Sequence, residues 1–248
     1  DLRIEITNGA TSGTEEVVSA IDRVEVIANG SRVLFSLEGV ELYRLTSLFL
    51  RNPPPSIRSQ AASAVQELFL RLPFGYAPGD PAHYVDLGRY QRVTLRIQYS
   101  PTISATTFAT GTFTITSILH IWEQSEAGLS TQGYFRTTQV RAFTSAASGE
   151  ESIELARELP HLGYLVYNRE AAIDPDVDIT TVEVRENNGR IIPFTARWLD
   201  LVMQNENDLG YHSIEKLRVL QSDGDTIDTL ATYLEGYALQ PIFDETAG

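Results

Sequence analysis

The sequence predicts an all-β protein in which one β-sandwich plan occurs twice, at residues 1–124 and 125–248. Three observations support this prediction. Apolar and polar residues alternate over many stretches, as they do in half-buried strands. In each half an Asn-Gly pair lies between two such stretches, and this dipeptide favours tight β-hairpins. Each predicted hairpin is followed by apolar residues with helical spacing.

The first half opens with predicted strands. Residues 1–7 alternate between apolar and polar side chains, and residues 17–27 indicate one or two further strands. The stretch VEVIANGSRVLF at 24–35 predicts a hairpin, because Asn29 and Gly30 tolerate the positive φ angles of a type I′ turn.

A helix is predicted next, at residues 38–51, where apolar residues recur every three or four positions. Ser36 and Glu38 are placed to cap its start, and the prolines at 53–55 prevent its continuation. Two long alternating strands follow, YQRVTLRIQYS and GTFTITSILHIWEQ. The polar stretch at 123–133 is the best candidate for a linker.

The second half repeats this order. SGEESIELA at 148–156 echoes SGTEEVVSA at 12–20, and the strand GYLVYN follows. VEVRENNGRIIPF at 182–194 predicts a second hairpin with Asn188-Gly189 at its turn. Thr195 is placed to cap a second short helix at 196–204 with three apolar residues on one face: Trp198, Leu201 and Val202. TLATYLEGYALQPIF closes the chain as one or two strands.

Composition restricts the possible partners. Acidic residues outnumber basic ones 33 to 19, so the net charge is −14 and the pI is about 4.7. Such a chain is repelled by nucleic acid phosphates and by anionic lipid, and direct binding to nucleic acid is therefore not expected. There is no cysteine for disulfides, and no apolar run long enough for a membrane span. The first residue is Asp1, which predicts that a leading residue or segment has been removed.

No pattern in the chain predicts catalysis. The four histidines are far apart in sequence, so they form no local zinc site. His120 and Glu123 have H-x-x-E spacing, but on an alternating strand they point to opposite faces. The chain lacks a nucleophile elbow, a P-loop and a dinucleotide-binding fingerprint. We therefore predict no enzyme, no catalytic residue and no residue that binds an organic cofactor.

Two acidic stretches are candidate metal sites, and one of them is the stronger. Asp174, Asp176 and Asp178 alternate in AAIDPDVDIT, and three carboxylates on one side of an extended segment could bind calcium. The spacing is not that of an EF-hand, since Ile179 and Arg185 stand where Gly and Glu are required. A second, weaker candidate comprises Asp223, Asp225 and Asp228. The alternative for both stretches is a solvated acidic loop.

The doubled hairpin and helix resemble a known family. RVEVIANGSRVLFSLEGVELYRLTSLFLRN resembles the first-domain hairpin and helix of the corticovirus major capsid protein. This protein is the double jelly-roll coat of tailless, icosahedral, membrane-containing dsDNA phages. SGEESIELARELPHLGYLVYN is similar to that family's loop, strand, proline-containing bend and Gly-Tyr strand, in the same order before VEVRENNGR and RWLDLV. The resemblance covers residues 21–52 and 143–208, whereas residues 53–123 match only as generic strands.

The resemblance implies two tandem eight-stranded jelly-roll β-sandwiches, each with one short helix. It implies a structural protein that forms homotrimers with a pseudo-hexagonal outline, which tile an icosahedral shell over an internal membrane. Its partners would be neighbouring capsomers and other capsid or membrane proteins of the virion. It would reside in the virion, and in the host cytoplasm during assembly. Corticovirus coats use calcium, which agrees with a site at Asp174, Asp176 and Asp178.

Two other functions are compatible with the sequence. A two-domain carbohydrate-binding or adhesin-like protein would place aromatic side chains such as Trp122 and Trp198 on its surface, although most aromatic residues fall on the apolar phase expected of a core. A jelly-roll hydrolase would need two facing carboxylates, and nothing singles out such a pair.

Overall fold

The structure is a computed structural model of the 248-residue chain. It describes residues 1–9, 17–50, 54–57, 59, 61–77, 80–100, 113–120, 132–144, 149–155, 163–167, 179–186, 190–198, 200–201, 204, 214–220, 226–232 and 237–241. The chain forms two compact units, Asp1–Glu154 and Leu155–Gly248. The predicted division between residues 124 and 125 lies outside the described residues.

The described residues confirm the all-β prediction, with eight strands in the first unit and six in the second. One sheet of the first unit has the order β4-β5-β1-β7, with all neighbours antiparallel. Its strands are β1 (Leu2–Thr7), β4 (Ser56–Ile57), β5 (Val65–Leu70) and β7 (Phe113–Ser117). Leu2, Ile4 and Ile6 are buried and their neighbours are partly exposed, as the alternation in β1 predicts.

The other sheet of the first unit has the order β6-β2-β3-β8. Its strands are β2 (Ile21–Ala28), β3 (Arg32–Leu37), β6 (Val93–Tyr99) and β8 (Thr137–Thr138). β2 is antiparallel to both β3 and β6, and β3 is parallel to β8. The short β8 therefore pairs with residues that lie about 100 positions earlier in the chain. No local sequence pattern predicts this pairing.

The hairpin predicted at 24–35 is confirmed. Asn29 has a φ of 51° and Gly30 a φ of 79°, which are the two positive angles that this type of turn requires. The Asn29 side chain also accepts a hydrogen bond from the backbone N–H of Gln91 at 2.9 Å. The turn is thereby fixed to the residues that lead into β6.

The first helix, α1, runs from Gly39 to Leu50, one residue inside each predicted end. The Glu41 carboxylate accepts a hydrogen bond from the Glu38 backbone N–H at 2.9 Å, which is one half of a capping box. Ser36 does not cap the helix, since it lies within β3 and its hydroxyl contacts Arg23. α1 contacts β2 in one sheet and β5 in the other, so the helix closes one end of the core.

Three parts of the first unit differ from the prediction. Val17–Ala20 forms a 3₁₀ turn before β2 instead of a strand. The long strand predicted at 111–124 is shorter in the structure, because β7 ends at Ser117 and residues 118–120 are not in a strand. β5 was not predicted, because the polar residue Gln66 stands at one of the positions of this strand whose side chains are buried. Gln66 is tolerated there because its amide donates to Asn8 Oδ1 at 2.7 Å.

The described residues of the second unit form three antiparallel strand pairs. They are formed by β9 (Gly163–Tyr167) with β14 (Tyr237–Pro241), by β10 (Thr181–Glu186) with β11 (Ile191–Arg197), and by β12 (Ile214–Leu220) with β13 (Thr226–Thr232). The β10–β11 pairing confirms the second hairpin, whose tip at residues 187–189 lies outside the described residues. β12 was not predicted.

The second predicted helix is partly described. Trp198, Asp200, Leu201 and Gln204 are helical, and Trp198 and Leu201 are buried in the core cluster of this unit. Thr195 is not its cap, because β11 continues through Arg197 and places Thr195 inside the strand. Trp198 thus packs as a core residue and does not form a surface platform.

Candidate functional site

The acidic stretch predicted to bind calcium, Asp174, Asp176 and Asp178, lies outside the described residues. Of the second candidate set, Asp223 and Asp225 also lie outside them. Asp228 is in β13, paired in register with Arg218. Among the described residues, no three His, Cys, Asp or Glu side chains lie close enough together to hold a metal ion.

The described histidines contact single carboxylates. His120 is exposed, and its Nε2 lies 2.9 Å from the Asp1 carboxylate, while Glu123 lies outside the described residues. His83 Nδ1 lies 2.9 Å from Asp80, which also accepts backbone hydrogen bonds from Tyr76 and Ala82. These bonds lower the pKa of Asp80, with the bond from Ala82 as the largest cause. The arrangement fixes a loop, as expected of an Asp within a turn.

Among the described strands β6 is outermost in its sheet, and apolar residues on its core-facing side are exposed. Val93, Leu95 and Ile97 pair in register with buried residues of β2, so they lie on the core-facing side. Leu95 is nevertheless 38% exposed, and Tyr99 at the strand's end is 51% exposed. An outer strand with exposed apolar side chains on its inner face is a surface suited to contact with another protein.

Among the described strands β7 is outermost in the other sheet, and its apolar residues Phe113 and Ile115 are half-buried. The Phe113 ring stacks on that of Tyr99 with their centroids 4.9 Å apart, which brings the two outer strands together. Just beyond β7, Ile118 is 43% exposed and Leu119 is 70% exposed. We call the four exposed residues Leu95, Tyr99, Ile118 and Leu119 the β6–β7 edge.

A polar cluster holds the start of α1 to the residues that follow β8. The Gln139 side chain accepts a hydrogen bond from Arg23 at 2.6 Å. It donates to Glu38 at 3.2 Å and to Glu41 at 2.9 Å. Burial raises the pKa of the Glu41 carboxyl, and the charge of Arg23 and the bond from Gln139 partly offset this effect. All three of these hydrogen bonds join the Gln139 side chain to residues of the same unit, so the cluster has a structural role.

The first unit therefore offers a contact surface, the β6–β7 edge, and a structural polar cluster. Sequence reasoning missed both. The β6–β7 edge depends on which strands end up outermost, and the polar cluster joins residues that are 98 to 116 positions apart. Among the described helices, none is both long and apolar enough to span a membrane.

Comparison with known proteins identifies the fold. No protein-family model matches the chain, and no curated protein matches it in sequence. The crystal structure of the STIV major capsid protein matches with a TM-score of 0.56 and 16% sequence identity. The match covers 97% of this chain and 75% of that chain. The likeness confirms the all-β, double jelly-roll fold and does not distinguish a corticovirus coat from other members of that class.

Proposed function

We propose that the chain is a viral capsid protein whose role is structural. The observation that carries this proposal is the extent of the likeness to the STIV major capsid protein, which includes nearly the whole chain and both compact units. A match that covered a single sandwich would be compatible with the many unrelated functions that jelly rolls have. A chain in which both sandwiches match in one alignment favours the coat function.

The exposed apolar residues of the first unit support a role in assembly. Edge strands of proteins that act alone are usually protected by charge or by bulges, because uncovered strands associate. Here Leu95 and Tyr99 are exposed on β6, and Leu119 is exposed just beyond the end of β7. The net charge of −14 favours a shell that does not bind the genome directly, because nucleic acid phosphates would repel it. The proposal assigns no catalytic activity to the chain.

The finer form of the proposal follows the resemblance in sequence. The chain would be a corticovirus-type coat protein that forms homotrimers with a pseudo-hexagonal outline. These capsomers would tile an icosahedral shell over an internal membrane, in contact with other capsid or membrane proteins of a phage virion. The protein would pass through the host cytoplasm during assembly. The alternative, a carbohydrate-binding or adhesin-like protein, would act without forming such a shell.

Light scattering of the purified protein tests the proposal. We expect a particle of three times 27.5 kDa, with a hexagonal outline in negative-stain images. Leu119→Asp should weaken association by about tenfold or more, either between the chains of one trimer or between trimers. The reason is that a charge would be buried in an apolar contact. The circular dichroism spectrum should stay that of the folded protein, since Leu119 is already exposed, and the melting temperature should fall only as far as weaker association lowers it.

Ile57→Asp is the matched control, because Ile57 is 56% exposed but lies on β4, at the opposite edge of its sheet from β7. A 27.5 kDa monomer at all concentrations would contradict the assembly proposal and favour the adhesin-like alternative. Equal effects of the two variants would show that the β6–β7 edge is not the contact.

Calcium binding by Asp174, Asp176 and Asp178 is part of the same proposal. Carboxylate oxygens are the ligands that calcium prefers, and bound metal stabilises the folded state by mass action. Calcium should therefore raise the melting temperature of the wild-type protein, and a chelator should reverse the change. The triple variant with asparagine at the three positions should not respond. A wild-type melting temperature that is the same with calcium and with chelator would exclude the site.

A further inference from the structure

A cleft in the first unit combines aromatic and charged side chains. Its volume is about 180 Å³. It is lined by residues at the start of β3, around the turn at residues 87–89, and before β8: Arg32, Tyr84, Asp86, Arg89, Tyr90 and Tyr134. Drug-sized ligands occupy roughly 300–1,000 Å³, so this cleft suits one small ring.

Two tyrosines and one arginine form the centre of the cleft. The Arg32 guanidinium lies over the Tyr90 ring, with Cζ 5.8 Å from the centroid. The hydroxyls of Tyr90 and Tyr134 are 3.4 Å apart. The contact with the Tyr90 ring uses no N–H group of Arg32, so the guanidinium keeps its paired N–H donors for an anion.

The charge of Arg32 has no acidic partner within the part of the chain that the structure describes. The other arginine of the cleft, Arg89, donates to Asp86 at 3.0 Å. The Asp86 carboxylate lines the same cleft but is bonded to Arg89, so among the described residues the Arg32 guanidinium lies against an aromatic ring without an ion pair of its own, in a protein with net charge −14. This arrangement indicates a site for an external anion.

The remaining groups specify the kind of anion. Asp86 accepts from the Gly88 N–H and from Arg89, and each of its oxygens has a second lone pair for a hydroxyl. A dianionic phosphate would be repelled by this carboxylate, whereas a ligand with a single negative charge and several hydroxyls would satisfy both the guanidinium and the carboxylate that line the cleft. The tyrosine rings offer flat faces to the C–H groups of a sugar.

We propose that this cleft binds one acidic sugar residue, with its carboxylate on Arg32 and its hydroxyls at Asp86. The carboxylate and the planar guanidinium match in geometry, and the ring of the sugar packs against Tyr90 and Tyr84. Such a site gives the protein a way to recognise a glycan that ends in a uronic or other carboxylated sugar. The inference does not depend on the capsid function.

Saturation-transfer NMR with glucuronate and with glucose as the neutral control tests the proposal. We expect glucuronate to bind with a dissociation constant of about 1 mM, and glucose at least about tenfold more weakly. Arg32→Gln should reduce glucuronate binding by about tenfold or more, because it removes the charge and the paired donors. Arg96→Gln is the matched control, since Arg96 is also an exposed arginine of this unit but lies on β6.

Three results would overturn the proposal: equal binding of glucuronate and glucose, unchanged binding by Arg32→Gln, or displacement of glucuronate by an equal concentration of inorganic phosphate. The melting temperature of each variant shows whether it is folded. Arg32→Lys provides a second variant that keeps the charge and removes the paired geometry, and it should bind glucuronate more weakly than the wild type. Wild-type affinity in Arg32→Lys would contradict the paired contact.

Discussion

Replacing Phe35 by alanine is expected to lower the free energy of unfolding by about 3–5 kcal/mol, the usual cost of removing a buried phenylalanine. Phe35 is 0% exposed and lies within β3, paired with Val26 on one side and with Thr137 on the other. Its ring meets that of Phe74 edge-to-face with centroids 6.0 Å apart. Alanine would leave a cavity between these groups, which the parallel pairing with β8 prevents from closing.

Urea denaturation followed by circular dichroism measures this loss. Phe143→Ala is the matched control, because Phe143 is 52% exposed and contacts Arg141 only at the surface. It should cost less than about 1 kcal/mol. A loss of similar size in both variants would show that Phe35 is not a central core residue.

Gly39→Ala is expected to destabilise the protein by about 3 kcal/mol, although alanine favours a helix over glycine by about 1 kcal/mol. A Cβ at residue 39 would lie 2.5 Å from the Ile21 carbonyl oxygen, 2.6 Å from Ile21 Cβ and 2.8 Å from the Val18 carbonyl oxygen. Backbone atoms cannot rotate away, so α1 would have to move from β2 and from the 3₁₀ turn before it.

Gly149→Ala provides the comparison, since nothing lies within 4 Å of a Cβ built there. That change should be neutral or slightly stabilising, because alanine restricts the unfolded chain. Thermal denaturation of the two variants measures the difference. A stabilised Gly39→Ala protein would mean that helix propensity, and not the close approach of α1 to β2, determines the effect at this position.

Local patterns were sufficient to predict much of the first unit. The alternation in β1, the positive φ angles at Asn29 and Gly30, and the bounds of α1 depend on residues close in sequence, and all three were predicted. β5 was missed because its alternation includes Gln66, whose burial requires a partner 58 residues away. A strand with a polar residue at a buried position cannot be recognised from the sequence until the hydrogen-bond partner of that residue is known.

The candidate sites were harder to predict for the same reason. The β6–β7 edge exists because β6 and β7 are outermost in their sheets, and strand order is not encoded in alternation. The cleft joins Arg32 to Tyr90 and Tyr134, and in the sequence each is an ordinary residue at the end of a strand or turn. By contrast, the acidic stretch at Asp174, Asp176 and Asp178 stands out in the sequence and stays a prediction.

The position of β1 has a consequence for how the chain is made. β1 lies between β5 and β7, so Leu2 pairs with Leu70 on one side and with Ser117 on the other. Synthesis proceeds at about 5–20 residues per second, and the last partner of β1 is therefore translated about 6–23 seconds after it. During this interval at least one edge of β1 lacks its strand partner. Chaperones and aggregation compete for it until β7 arrives.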